Sequence, residues 1–280
     1  MGGAGSGVIA SGGAVDAHVH LWDTGRFSLA WFRSELGLPE VADAADFAER
    51  SARATSPVGP IAAAIAVQAA DTTDEVRWLT ALRHPLVAGV VVQYDPVAAP
   101  GSAPAGVERS GVVRGVRVAV PGRRADLADV AGLDELCERI GADGGVVEFL
   151  VRPEQLPAVG VVASRHPATT FVVCHLGLGA AEPDESWAAA LAAAAGRPNL
   201  AAKASGVVTG RADRRLRRAL SVAVDGFGAQ RLLFGSDWPM SARIAPYDEI
   251  VARTAAALPA LGAAGDAAFW GGTARALYRV

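Results

Sequence analysis

His18 and His20 stand two residues apart in the run Val15–Trp22, V-D-A-H-V-H-L-W. Side chains at i and i+2 of an extended strand share one face, so the two imidazoles project side by side, with the acidic Asp16 just before them. Such a set can hold a divalent metal or polarise a carbonyl oxygen. H-x-H alone is common; its meaning depends on whether other segments bring polar groups to meet it. Several do. His175 closes the apolar run T-T-F-V-V-C-H-L, and Asp237 stands near the end of R-L-L-F-G-S-D-W. Gln68, Gln93, Arg117, Glu148, and Lys203 with Ser205 lie within or at the ends of further apolar runs, and Trp22 ends the first.

The elements that must position these residues repeat. Ile61–Gln68, Val87–Asp95, Val112–Val118, Val146–Val151, Thr169–Leu176, Asn199–Gly206 and Arg231–Trp238 each read as buried strands. Amphipathic helical segments separate most of them. T-T-D-E at 72–75 has the form of a capping box ahead of Val76, Leu79 and Leu82. Helices are also expected at Asp43–Ala54, Leu127–Ile140, after Pro153, at Asp184–Ala195, at 212–227, and in the last two segments, Tyr247–Leu261 and Asp266–Tyr278. The arginines 214, 215, 217 and 218 read as a solvated helix face rather than a phosphate site. Together with Val15–Trp22, these runs make eight βα units and predict an α/β protein, a single (β/α)8 TIM barrel. The alternative is an open doubly wound sheet, but no G-x-G-x-x-G follows a strand. In a barrel the C-terminal strand ends share one mouth, where enzymes place their chemistry. A polar residue inside such a strand is costly unless paired or used.

Length and composition agree. The 280 residues, 51% hydrophobic and 20% charged, suffice for one barrel domain at 15–280. Residues 1–14, rich in Gly and Ser, read as a flexible N-terminal tail; they lack the basic start and apolar core of a signal peptide, and Met1-Gly2 to Ser6 matches the myristoylation pattern without a polybasic partner. A net charge of −3 argues against a nucleic-acid surface. Cys137 and Cys174 make no disulfide framework, and no apolar run spans a bilayer, so a cytoplasmic protein without nucleic-acid or membrane partners is expected. A homo-oligomer is compatible with the sequence. The segment Asp23–Glu40, with Phe27, Trp31 and Phe32, either covers a site or packs on the outer core.

D-A-H-V-H-L-W at the start and F-G-S-D-W-P at 234–239 resemble the amidohydrolase-related (amidohydrolase 2) proteins of the amidohydrolase superfamily. The chain is similar in particular to their lactonase-like branch, which holds L-fuconolactonase and 2-pyrone-4,6-dicarboxylate lactonase. Supporting stretches are V-Q-A-A-D-T-T-D-E-V-R-W-L at 67–79, G-V-R at 115–117, R-P-E-Q-L-P-A at 152–158, H-L-G at 175–177, K-A-S-G at 203–206 and G-G-T-A-R-A-L-Y at 271–278. The resemblance implies a (β/α)8 barrel and hydrolysis of a lactone, ester or amide-like bond by activated water. It makes Asp237 the general base, with His18, His20 and His175 surrounding the electrophilic oxygen or binding a divalent metal, zinc or manganese, together with Asp237.

The chain departs from the family pattern at four positions. Strand four offers Arg117 where metal-rich members have lysine or glutamate. Strand five offers Glu148 where others have histidine, which weakens a two-metal centre. At strand six, C-H-L-G-L-G replaces the branch's frequent D-H-L-x-K-P, and Val118 stands where relatives often have histidine after G-V-R, so the same sugar lactone does not follow.

The expected activity is therefore a metal-optional opening of a small lactone or cyclic ester. Arg117, Lys203, Gln68, Glu148, Trp22 and Ser205 are candidate substrate contacts. Arg117 and Lys203 could instead be buried charges paired with Glu148. Two alternatives remain: metal-dependent decarboxylation of an aromatic or unsaturated acid, and a binding protein without chemistry. The second would have lost the histidines or the aspartate, and all are present. The segments Asp23–Glu40 and Trp238–Tyr247 are expected to set specificity.

Overall fold

The computed structural model describes residues 12–97, 100–102, 111–179, 181–210 and 213–280. The expected tail therefore lies outside the described residues except for its last three. Eight parallel strands follow one another around a barrel: β1 (Ala14–Val19), β2 (Gly59–Val67), β3 (Val87–Gln93), β4 (Val113–Ala119), β5 (Val146–Leu150), β6 (Thr170–Val173), β7 (Leu200–Ala204) and β8 (Leu232–Phe234). Neighbours pair in chain order, and a single bridge between Val19 and Trp238 brings β8 back to β1. The (β/α)8 reading holds.

The strands separate two apolar layers. Val15, Ala17, Ile65, Val67, Val91 and Leu233 belong to an inner cluster, which Ala274 and Tyr278 join from the C-terminal helix. A larger cluster packs the strands against the helices. These are α1 (Ala44–Ser51), α2 (Thr73–Ala81), α3 (Leu133–Ala142), α4 (Leu156–Arg165), α5 (Glu185–Ala195), α6 (Asp213–Phe227), α7 (Tyr247–Ala257), α8 (Gly262–Ala267) and α9 (Thr273–Tyr278). The pattern predicts α6 well: Leu216, Leu220, Ala223 and Phe227 are all buried on one face.

Local differences have physical causes. Thr72 caps α2 through the Glu75 N–H, but the Glu75 carboxylate turns away from the helix and accepts the N–H groups of Ala69 and Ala70 at 2.7 and 2.6 Å. Only half of the capping box forms, because unpaired backbone donors at the end of β2 compete for the acid. Helix α3 starts at Leu133 rather than Leu127, whose φ is +58°. Arg215 is not on the solvated face of α6. It is buried and donates to the carbonyls of Gly179, Ala181 and Val207, whereas Arg214, Arg217 and Arg218 are exposed. Trp22 leaves β1 to pair in a two-residue ladder with Ala42, and its indole donates to Pro39.

Candidate active site

The ends of β1, β6 and β8 bring four predicted side chains together. His18 Nε2 and His20 Nε2 lie 3.3 Å apart. Asp237 Oδ1 is 3.7 Å from the first, 3.5 Å from the second and 4.0 Å from His175 Nε2. The rings of His18 and His175 are 4.7 Å apart. Asp237 remains partly open to solvent, whereas the His18 ring is fully buried. Two of these groups occupy backbone that side chains rarely adopt: Asp237 has φ +61° and His175 φ +54°. Conformations of this kind persist where the surrounding structure over-determines them.

Neighbouring groups fix each ring. His20 Nδ1 lies 2.7 Å from the carbonyl of Val67, to which it donates, and this fixes the ring's orientation. His175 Nδ1 meets Ser205 Oγ at 2.9 Å. The approach is tight enough to require glycine twice. A Cβ at Gly206 (φ +61°) would lie 2.6 Å from His175 Nδ1, and one at Gly235 would lie 2.8 Å from the Ser205 Cβ and 2.9 Å from the His18 Cβ.

Burial, reinforced by Lys203, pushes the His18 imidazole far below its usual range, so it stays neutral. Burial lowers His175 also, against the opposing pull of Asp237. For Asp237, burial would favour the neutral acid, but His175, His20 and Arg117 together hold it below the ordinary carboxylate range. The site therefore combines an ionised carboxylate with neutral imidazoles at His18 and His175.

The donor set fits a divalent ion. At metal–nitrogen distances of about 2.0–2.1 Å, tetrahedral ligand atoms lie roughly 3.4 Å apart, close to the 3.3, 3.5 and 3.7 Å separating His18, His20 and Asp237. Two imidazole nitrogens and a carboxylate oxygen facing one another suit zinc or a similar cation.

The other predicted residues divide. Arg117 lies just behind the site, its Nε on Gln93 Oε1 at 3.0 Å and its Nη2 on the Gln68 carbonyl at 2.6 Å. Gln68 is spent on backbone: its amide donates to Ala70 and Thr72, and its oxygen accepts from Gln93 N–H. Ser205 orients His175. Trp22 is fully buried, packed edge-on against Trp31 at 5.5 Å. Trp31 in turn donates to the Ala69 carbonyl at 2.7 Å, so segment 23–40 both packs on the core and reaches the end of β2. Lys203 and Glu148 form a fully buried ion pair at 2.6 Å. Asp16, though next to the pair in sequence, is not among the converging ligand atoms.

Three contributors escaped the sequence reading. Tyr278 donates to Glu148 at 2.5 Å, Cys174 donates to the same carboxylate at 3.2 Å, and Tyr247 donates to Asp16 at 2.9 Å. For Tyr278, the only available signal was a polar aromatic close to the chain end.

Comparison with known proteins places the chain among related ones. A sequence model described as "Amidohydrolase" (Amidohydro_2) matches residues 15–280. An L-fucono-1,5-lactonase of Burkholderia multivorans is 33% identical, over 94% of this chain and 95% of the relative. An L-fucono-1,5-lactonase of Burkholderia ambifaria is 29% identical, over 81% of this chain and 80% of its own. A crystal structure of an amidohydrolase from Burkholderia multivorans with bound zinc superposes with a TM-score of 0.77 at 30% identity, covering 95% of this chain and 99% of that one.

Proposed function

The chain belongs to the amidohydrolase family Amidohydro_2, and from that premise we propose that it opens a lactone or related cyclic ester by adding water, with Asp237 as the base. The observation that carries this reading is the convergence of His18, His20, His175 and a partly exposed Asp237 at one mouth of the barrel. The lactonase relatives support the choice of substrate class. Of the two reactions the sequence left open, lactone opening is the better supported.

In this mechanism Asp237, already ionised, takes a proton from water as the oxygen adds to the acyl carbon. An imidazole N–H facing the acyl oxygen and the guanidinium of Arg117 add positive potential where negative charge develops. Collapse of the adduct breaks the bond to the ring oxygen, which leaves with the proton from Asp237 and gives an open hydroxy acid. A divalent ion, zinc or manganese, would be held by His18, His20 and Asp237 with His175 beside them. When bound, it would supply Lewis-acid polarisation and a more acidic water. Val67 and Ser205 keep the His20 and His175 rings aimed, whether they serve the metal or the carbonyl directly.

The test is a pH-indicator screen of sugar lactones, including L-fucono-1,5-lactone, and of pyrone carboxylates, on protein of measured metal content. Acid release that vanishes in Asp237→Asn supports the reading. Carbon dioxide released from an aromatic acid, with every lactone untouched, would replace it by decarboxylation.

A further inference from the structure

The seam between β8 and β1 is the barrel's least regular. β8 is three residues long, and beyond it the two strands share one isolated bridge. Two backbone bonds cross there, from Asp237 N–H to His18 at 2.9 Å and from His20 N–H to Trp238 at 2.7 Å. This short seam carries the histidine pair on one side and Asp237 on the other.

Asp16 spans it. Its carboxylate is fully buried. Oδ1 accepts the His18 N–H at 3.1 Å and the Ser236 N–H at 2.9 Å, and Oδ2 accepts the Tyr247 hydroxyl at 2.9 Å. Ser236 Oγ then accepts the Trp238 N–H at 3.0 Å. One carboxylate thus ties the backbone of His18 to that of Ser236, which precedes Asp237 and lies 220 residues from Asp16. A buried carboxylate costs free energy unless its lone pairs are used; here donors from both sides of the seam use them. With both oxygens engaged and the side chain sealed, Asp16 does not touch substrate.

We infer that Asp16 is a positioning residue: it sets the separation between the histidine pair and Asp237, and Tyr247 holds its carboxylate in place. The role rests on the hydrolytic reading of the site. Misplacement of reacting groups by about 1 Å can cost on the order of 100-fold in rate.

Four variants test it, assayed with L-fucono-1,5-lactone and by crystallography. In Asp16→Ala, kcat falls at least about 30-fold with KM within about twofold, and the crystal structure shows Asp237 drawn away from His18 and His20. Asp16→Asn stays within about threefold of wild type, because its amide oxygen still accepts both backbone N–H groups and Tyr247 can reverse its hydrogen bond. Tyr247→Phe loses about three- to tenfold in kcat, the scale of one hydrogen bond to a charged group. Unchanged separations in Asp16→Ala, or equal losses in Asp16→Ala and Asp16→Asn, overturn the inference. If Asp16→Ala does not fold, Tyr247→Phe decides: a lowered kcat at constant KM supports the inference, and wild-type kcat sinks it. Asp237→Asn separates the two claims, since full activity there removes Asp237 as the base while the crystallographic distances still judge the seam.

Discussion

Two polar clusters share the interior of this barrel and differ in how fully their members are satisfied. Deep in the barrel, Glu148 receives Lys203 at 2.6 Å, Tyr278 at 2.5 Å and Cys174 at 3.2 Å, and Lys203 also lies 5.3 Å from the Tyr278 ring centre. The ion pair is closed to solvent. At the mouth, His18, His20, His175 and Asp237 face one another at 3.3–4.0 Å, with Asp237 partly exposed. Here ligand atoms of His18, His20 and Asp237 converge on a point instead of being consumed in fixed pairs. A saturated cluster holds a structure together. Converging unsaturated donors can receive a reacting atom or an ion.

The sharpest way to break this contrast is at the mouth. Asp237→Asn should lower kcat by about 10³-fold or more while circular dichroism and melting stay close to wild type. The interior should behave in the opposite sense. Lys203→Met leaves an uncompensated buried carboxylate and should cost about 3–5 kcal/mol in denaturant unfolding. Adding Glu148→Gln should return most of that loss, because the amide oxygen still accepts from Tyr278. A melt in which the double variant is no better than the single one would contradict the pairing.

Gly235 touches the mouth from behind. Gly235→Ala should push His18 or Ser205 aside and lower kcat roughly 10- to 100-fold, and steady-state kinetics on the folded variant would show it.

The smallest expected effect concerns Glu75, a third buried acid, held by backbone N–H groups at the rim. Burial raises its carboxyl from 4.5 to about 7. A raised acid binds more protons in the folded state than in the unfolded one, so its contribution is complete below pH 4.5 and fades as pH rises through about 7. The melting temperature of Glu75→Gln, compared with wild type, should therefore improve between pH 5 and 7 by a few degrees, on the order of 1 kcal/mol. A pH-independent difference would contradict the shift.

Much of this was legible in the chain. Apolar runs ending in a single polar residue marked the strands, and helical spacing marked α6, because both periods come from backbone geometry within a few residues. The mouth residues were legible for the same reason: parallel strands all end on one side. Arg215 and Glu75 were misjudged because each is claimed by backbone groups of a neighbouring loop rather than by its own helix. Asp16 stood out in the sequence only as an acid just before the histidine pair, and the structure turns it to the seam.

The sequence by itself determined the barrel and the set of polar groups at its mouth. Only the tertiary structure decided which of those groups cancel one another. Glu148 meets Lys203 across 55 residues and Tyr278 across 130, and Asp16 meets Tyr247 across 231. Such pairings depend on angular position around the closed barrel, which strand count and local periodicity do not encode.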